Sequence, residues 1–191
     1  MLVLIGIPTP NTVEPECLKA IYGQEDAGVD TALDIVYGYK VDIQRRQLCE
    51  EAIRIGADYL LMVDSDVVLP DTALKDLLDP QADIVTGIYR LKKQRRNGDY
   101  TIAFKDQGGP ILYQDMPEGR MRVTKCGAGC LLIKTSVLKK IPHPWWLYTD
   151  EMGEDFWFCQ QAAKAGVEIY ADKRVACGHI IKEQYCFGEG F

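Results

Sequence analysis

Apolar and polar positions fall along this chain in runs whose length and flanks separate strands from helices. Leu2 to Ile7 is short and wholly apolar apart from a glycine, the pattern of a strand buried on both faces. Pro8-Thr9-Pro10-Asn11 forbids regular structure, and Pro15 suits the first turn of a helix reaching about Gln24. Ala32 to Tyr37 predicts a second strand. Asp42 is placed to cap a helix whose Leu48, Ala52 and Ile55 share one face before Gly56 stops it. Tyr59 to Val63 is the third strand, Asp71 the cap of a short helix through Leu78, and Ile84 to Gly87 the fourth strand. Three β-α units in succession imply right-handed crossovers and a mainly parallel sheet, a nucleotide-binding type of α/β layout.

From about Gly98 the texture changes. Thr101 to Phe104, Ile111 to Tyr113 and Arg122 to Lys125 are short strand candidates between Gly, Pro and Asp turns, which predicts a small mixed sheet. Cys126-Gly-Ala-Gly-Cys130 leads into the apolar Leu131 to Ile133, and Thr135 or Ser136 starts a helix that stops before Pro142. Gly153-Glu154-Asp155 opens a last helix to about Ala165, with Gly166 as its stop and a strand near Glu168 to Ala171 beyond it. With no repeat and no linker, the expectation is one domain over 1–191, its halves 1–97 and 98–191 sharing a core.

At 191 residues, 47% of them hydrophobic, the chain can bury one substantial core. No apolar stretch approaches the roughly 18 residues of a membrane span, and Met1 to Ile7 lacks the cationic start of a signal peptide, so a soluble, cytoplasmic protein is expected. Seven cysteines scattered over an α/β pattern fit reduced thiols. A net charge of -6 argues against general polyanion binding, although Arg90, Lys92, Lys93, Arg95 and Arg96 form a local basic segment suited to phosphates or an anionic acceptor.

The chemistry concentrates at Asp64-Ser65-Asp66, which an apolar strand delivers to its carboxyl end, where α/β sheets keep their ligands. Two carboxylates one residue apart and flanked by hydrocarbon repel each other unless a cation or a set of donors meets them. Magnesium or manganese suits such hard oxygen ligands, with substrate phosphates completing the shell. The plainer alternative is a turn or a helix cap.

In chain order, Asp64-Ser65-Asp66, Gly153-Glu154-Asp155 and Cys177-Gly178-His179 resemble the family 2-like, DxD-containing, metal- and nucleotide-sugar-dependent glycosyltransferases of the GT-A fold. Pro8-Thr9-Pro10-Asn11, Arg46 and Gly127-Ala128-Gly129-Cys130 add weaker matches, so the resemblance spans nearly the whole chain. It implies a GT-A (Rossmann-like) three-layer sandwich with a mainly parallel central sheet and a small second mixed sheet. It implies Asp66 and His179 as ligands of Mn2+ or Mg2+, and Asp64 as a partner of the metal site or of the ribose. Pro8, Thr9, Asn11, Arg46 and Ser65 fall to the nucleotide, with UDP the expected one. Asp155 would be general base on an acceptor hydroxyl in an inverting transfer, with Glu154 orienting the acceptor. The acceptor, a glycan among the options, is open, and a homo-oligomer in which a second subunit completes the acceptor side is one arrangement.

Trp145, Trp146 and Tyr148 offer aromatic faces for a sugar, or for the core. Cys126, Cys130, Cys177 and His179 lack zinc-site spacing and are assigned to packing. Two other classes compete. A haloacid-dehalogenase-like phosphatase would use Asp64 as nucleophile, but that family carries its motif on the first strand, and a noncatalytic nucleotide-sugar-binding module would have no need of Asp155.

Overall fold

The computed structural model describes residues 1–78, 82–90, 100–104 and 109–180, those at 100–104 and 110 by backbone alone. The order of elements is β1 (Leu2–Thr9), α1 (Pro15–Tyr22), β2 (Asp30–Tyr37), α2 (Val41–Arg54), β3 (Tyr59–Val63), β4 (Val67–Val68), α3 (Ala73–Leu77) and β5 (Ile84–Ile88) in the first half. The second half adds β6 (Tyr100–Phe104), β7 (Pro110–Leu112), β8 (Arg120–Val123), β9 (Lys125–Cys126), β10 (Cys130–Lys134), α4 (Thr135–Leu138), α5 (Glu154–Lys164), β11 (Ile169–Ala176) and β12 (Gly178–His179).

The central sheet runs β2-β1-β3-β10-β5-β11-β8. Strands β2, β1, β3, β5 and β11 are parallel to one another; β10 lies antiparallel between β3 and β5, and β8 antiparallel at the edge. The second half therefore inserts into the first. Strand side chains alternate between two clusters. Val3, Ile5, Leu61, Val63 and Leu132 face α1 and α3, while Leu4, Leu60, Met62, Leu131 and Ile133 face α2 and α5. Helix α2 comes close because β1 has no side chain at Gly6, where a Cβ would lie 2.8 Å from a Leu48 methyl. Two antiparallel sheets complete the fold, β7-β6-β9 and β12-β4.

Local details differ from expectation where tertiary contacts decide. Asp42 does not cap α2; the cap position is Lys40, without a side-chain cap, and Asp42 sits inside the first turn. The cap position of α3 is Thr72 rather than Asp71, again without a side-chain cap. Strand β8, expected in the small sheet, edges the main one, where Arg120 reaches the wholly buried Asp172 at 2.9 Å and donates to the Asp76 carbonyl. Among the described residues no helix is long and apolar enough to cross a membrane.

Candidate functional site

Because β1, β3 and β5 are parallel, Thr9, Asp64 and Tyr89 leave the sheet at the same edge. The chain turns sharply there. The Val67 amide donates to the Asp64 carbonyl at 3.0 Å, a β-turn with aspartate at its favoured first position. The turn feeds β4, and β12 pairs back on it with His179 opposite Val67, while the Ile180 amide donates to the Asp66 carbonyl. This pairing brings His179 Nε2 to 3.4 Å from Asp66 Oδ1. His179 Nδ1 lies 2.7 Å from the Arg90 carbonyl. A carbonyl only accepts, so Nδ1 carries the proton and Nε2 is the nitrogen turned toward the carboxylate. Tyr89 packs edge-on against this ring at 5.5 Å.

Neighbouring ligands on an ion with bonds of about 2.1 Å stand roughly 3 Å apart, so Asp66 and His179 fit as two donors to one cation. Among the described residues no group of three or more His, Cys, Asp and Glu side chains gathers into a metal cage. A cation here would fill its shell from water or phosphate oxygens, the habit of magnesium and manganese at nucleotide sites. Cys126 packs elsewhere, 3.8 Å from Cys159, sulfur to sulfur. Cys17, behind the turn, is pushed up to about 12 by burial first and then by Asp66, Asp64 and Glu14, so it stays a neutral thiol.

Asp64 belongs to a second constellation. Arg45 on α2, 3% exposed, donates from Nη2 to Asp64 Oδ1 at 2.8 Å and from Nε to Glu154 Oε1 at 3.3 Å. Its Nη1 donates to the Ala128 carbonyl at 3.2 Å, and the Trp146 ring lies beneath the guanidinium. Burial works against this charge, but Asp64 and Glu154 more than offset it and hold the guanidinium pKa above its ordinary value. Arg46, the arginine singled out from sequence, faces outward and pairs with Asp42 at 3.5 Å. The missed Arg45 had a signal: it stands three, four and seven residues before Leu48, Cys49 and Ala52, on the buried stripe of α2.

The Gly127-Ala128-Gly129 loop closes over these groups. The Asp64 amide donates to the Gly129 carbonyl at 3.0 Å, and the Gly129 amide donates to the Tyr89 hydroxyl at 2.8 Å. A Cβ at Gly129 would lie 2.8 Å from Tyr89 Oη and 2.9 Å from Asp64 Oδ2, so only glycine lets all three approach. Tyr89 was not picked out from sequence.

At the start of α5, Glu154 turns inward to Arg45 while Asp155 Oδ1 accepts from the Phe156 amide at 2.7 Å. A helix N-terminus by itself favours an ionised carboxylate. Burial, and then the neighbouring Glu154, outweigh it and raise the carboxyl to about 6.

The loop after β1 braces itself. The buried Thr9 hydroxyl donates to the Thr12 carbonyl at 2.7 Å and accepts from the Asn11 amide, and Pro8 is buried while Asn11 is exposed. Gln44 clamps its base by donating to the carbonyls of Thr9, Val36 and Gly38. The Glu14 amide donates to the Ser65 carbonyl, tying this loop to the acidic turn. Trp145 and Trp146 are core residues, the latter stacked on Phe158 at 4.2 Å, and only Tyr148 stays exposed. Of the basic segment only Arg90 lies within the described residues. A surface cavity of about 680 Å3, lined by Asp58, Tyr59, Lys134, Thr135 and Lys139, opens at the opposite end of β3 and holds none of these groups.

No protein-family model and no curated protein sequence matches the chain. Among solved structures it is similar to A197 from STIV, at a TM-score of 0.72 and 20% identity over 95% of this chain and 87% of that one. It is also similar to GalNAc-T7, solved with UDP, GalNAc and Mn2+, at a TM-score of 0.68 and 9% identity over 95% of this chain and 44% of that one. The chain spans less than half of GalNAc-T7. At such identities the likeness is one of fold, and the chain has the α/β GT-A (Rossmann-like) fold.

Proposed function

We propose that this protein is a metal-dependent glycosyltransferase, moving a sugar from a UDP-linked donor to an acceptor hydroxyl with inversion. The observation that carries the reading is the approach of Asp66 and His179 to 3.4 Å at the strand edge where α/β folds bind nucleotides. The fold likeness to GalNAc-T7, which was solved with UDP and Mn2+, supports it. In this reading residues 1–97 take the donor and 98–191 the acceptor within one catalytic unit.

Asp66 and His179 hold Mn2+ or Mg2+, which when bound supplies a Lewis acid opposite the charge that grows on the leaving diphosphate. Asp64 receives the ribose or the metal site in a fixed orientation. Pro8, Thr9 and Asn11, with Ser65 beside them, form the wall toward the base. Asp155 removes the proton of the acceptor hydroxyl, and a carboxylate of pKa about 6 is ionised at neutral pH yet more basic than an ordinary aspartate. Arg46 carries no part in this scheme.

Thermal unfolding against nucleotides tests the reading. A ligand at one hundred times its dissociation constant adds about 2.7 kcal/mol. UDP is expected to stabilise only with Mn2+ or Mg2+, and Asp66→Ala to abolish the metal-dependent part. Equal stabilisation in the presence of a chelator would refute it.

A further inference from the structure

We propose that Arg45 is a positioning residue of this site, its guanidinium holding Asp64 and Glu154 in one frame so that Glu154 is a counter-ion and Asp155 alone of the acidic pair meets the acceptor. The proposal rests on the glycosyltransferase reading for the words donor and acceptor; the frame itself stands on geometry.

All three guanidinium nitrogens are engaged. Nη2 goes to Asp64 at the end of β3, Nε to Glu154 at the start of α5 and Nη1 to the Ala128 carbonyl before β10. Three elements distant in sequence thus converge on one planar fork, which fixes angles as well as distances in a way an ammonium does not. The plane is itself held. Trp146 lies 5.5 Å from the guanidinium carbon and stacks on Phe158 with ring planes 4° apart. Phe158 is one turn beyond Glu154 on α5, so the same helix face presents the carboxylate to the cation and the ring to the wall behind it.

Glu154 and Asp155, adjacent in sequence, are divided by this arrangement. Glu154 gives its carboxylate to a cation that is almost wholly buried, whereas Asp155 accepts from the Phe156 amide of its own helix. Among the described residues, the charged and titratable groups facing Asp155 are Glu154 on its own helix, Arg45 from α2 and Cys126 from β9. Glu154 pushes its carboxyl up and Arg45 pulls it down, so the frame also tunes it.

The test uses the full chain, with the Asp155 carboxyl carbon followed by NMR across pH and the affinity for UDP plus Mn2+ measured by calorimetry. Glu154→Gln keeps an oxygen for Arg45 and is expected to lower the Asp155 midpoint while leaving the affinity within about twofold. Arg45→Lys keeps the charge and loses the fork; it is expected to weaken UDP binding at least about tenfold, with a melting temperature within a few degrees of wild type. An unmoved midpoint in Glu154→Gln, a tenfold loss of affinity in that variant, or an unaltered Arg45→Lys overturns the proposal. If wild type binds no UDP with Mn2+, the glycosyltransferase reading fails alone. The frame is then judged by a rise of the Asp155 midpoint in Arg45→Gln against its fall in Glu154→Gln, and like shifts in the two overturn it.

Discussion

Replacing Gly129 by alanine tests the close approach on which the site is built. The added methyl would stand 2.8 Å from Tyr89 Cζ and Oη and 2.9 Å from Asp64 Oδ2, where ordinary contacts begin near 3.4 Å. Something must therefore move by about half an ångström. Tyr89 has little room, being 5% exposed, packed against His179 and bonded through its hydroxyl to the very amide that would carry the new side chain. Overpacking of this kind costs about 1–3 kcal/mol, and a strained or lost hydrogen bond about 1 kcal/mol more. A destabilisation of about 3 kcal/mol corresponds to a fall in melting temperature of roughly 6–12 °C in a domain of this size. Because Asp64 is the third party to the clash, metal-dependent binding of UDP should fall with stability. Gly109→Ala, where a Cβ meets nothing within 4 Å, is the control for the cost of losing a glycine. If Gly129→Ala matches Gly109→Ala in urea denaturation and in UDP affinity, the cramped approach is not a constraint and the argument fails.

Other expectations follow from the same geometry. The Asp155 carboxyl is raised from 3.8 to about 6, so its contribution to stability is fully present below about pH 4 and is lost as pH rises through about 6. Asp155→Asn should thus be more stable than wild type above pH 6, by about 2–3 kcal/mol at most, and should lose sugar transfer; wild-type transfer should fall as pH drops below about 6, and a flat rate profile would dismiss Asp155 as base. Gln44→Ala takes a side-chain donor from three carbonyls at the β1 and β2 ends, of which that of Thr9 keeps the Gly38 amide, and should cost about 1–3 kcal/mol in chemical denaturation, with faster amide exchange confined to the loop after β1. Arg46→Ala breaks a partly buried pair within one helix and should cost under about 1 kcal/mol, with UDP affinity unchanged; a large loss of affinity would return Arg46 to the site.

Sequence made some of this plain and hid the rest for physical reasons. Tyr59 to Val63 read as a strand because four consecutive apolar residues after a tyrosine cannot all be covered on one face of a surface helix. The meeting of Asp66 with His179 was reachable only through motif order, since nothing local in Cys177-Gly178-His179 says that it will pair with Val67-Val68. The antiparallel course of β10 was hidden, because a run of five largely apolar residues has no polarity of its own. Arg45 and Arg46 differ by about 100° around a helix, and the periodic stripe that separates them was read for its hydrocarbons alone. The raised carboxyl of Asp155 was hidden because a helix end acts over one turn and can be read locally, while desolvation depends on chain that arrives from elsewhere.

The place of β10 between β3 and β5 governs how the molecule can come into being. As the chain emerges from the ribosome, β3 and β5 leave a slot whose filler is made only after β6 to β9. Until residue 134 has cleared the exit tunnel, both strands carry bare hydrogen-bonding edges beside apolar surface, a state prone to wrong pairing between nascent chains. Late closure by such distant contacts is slow, which prolongs the time those edges stay bare.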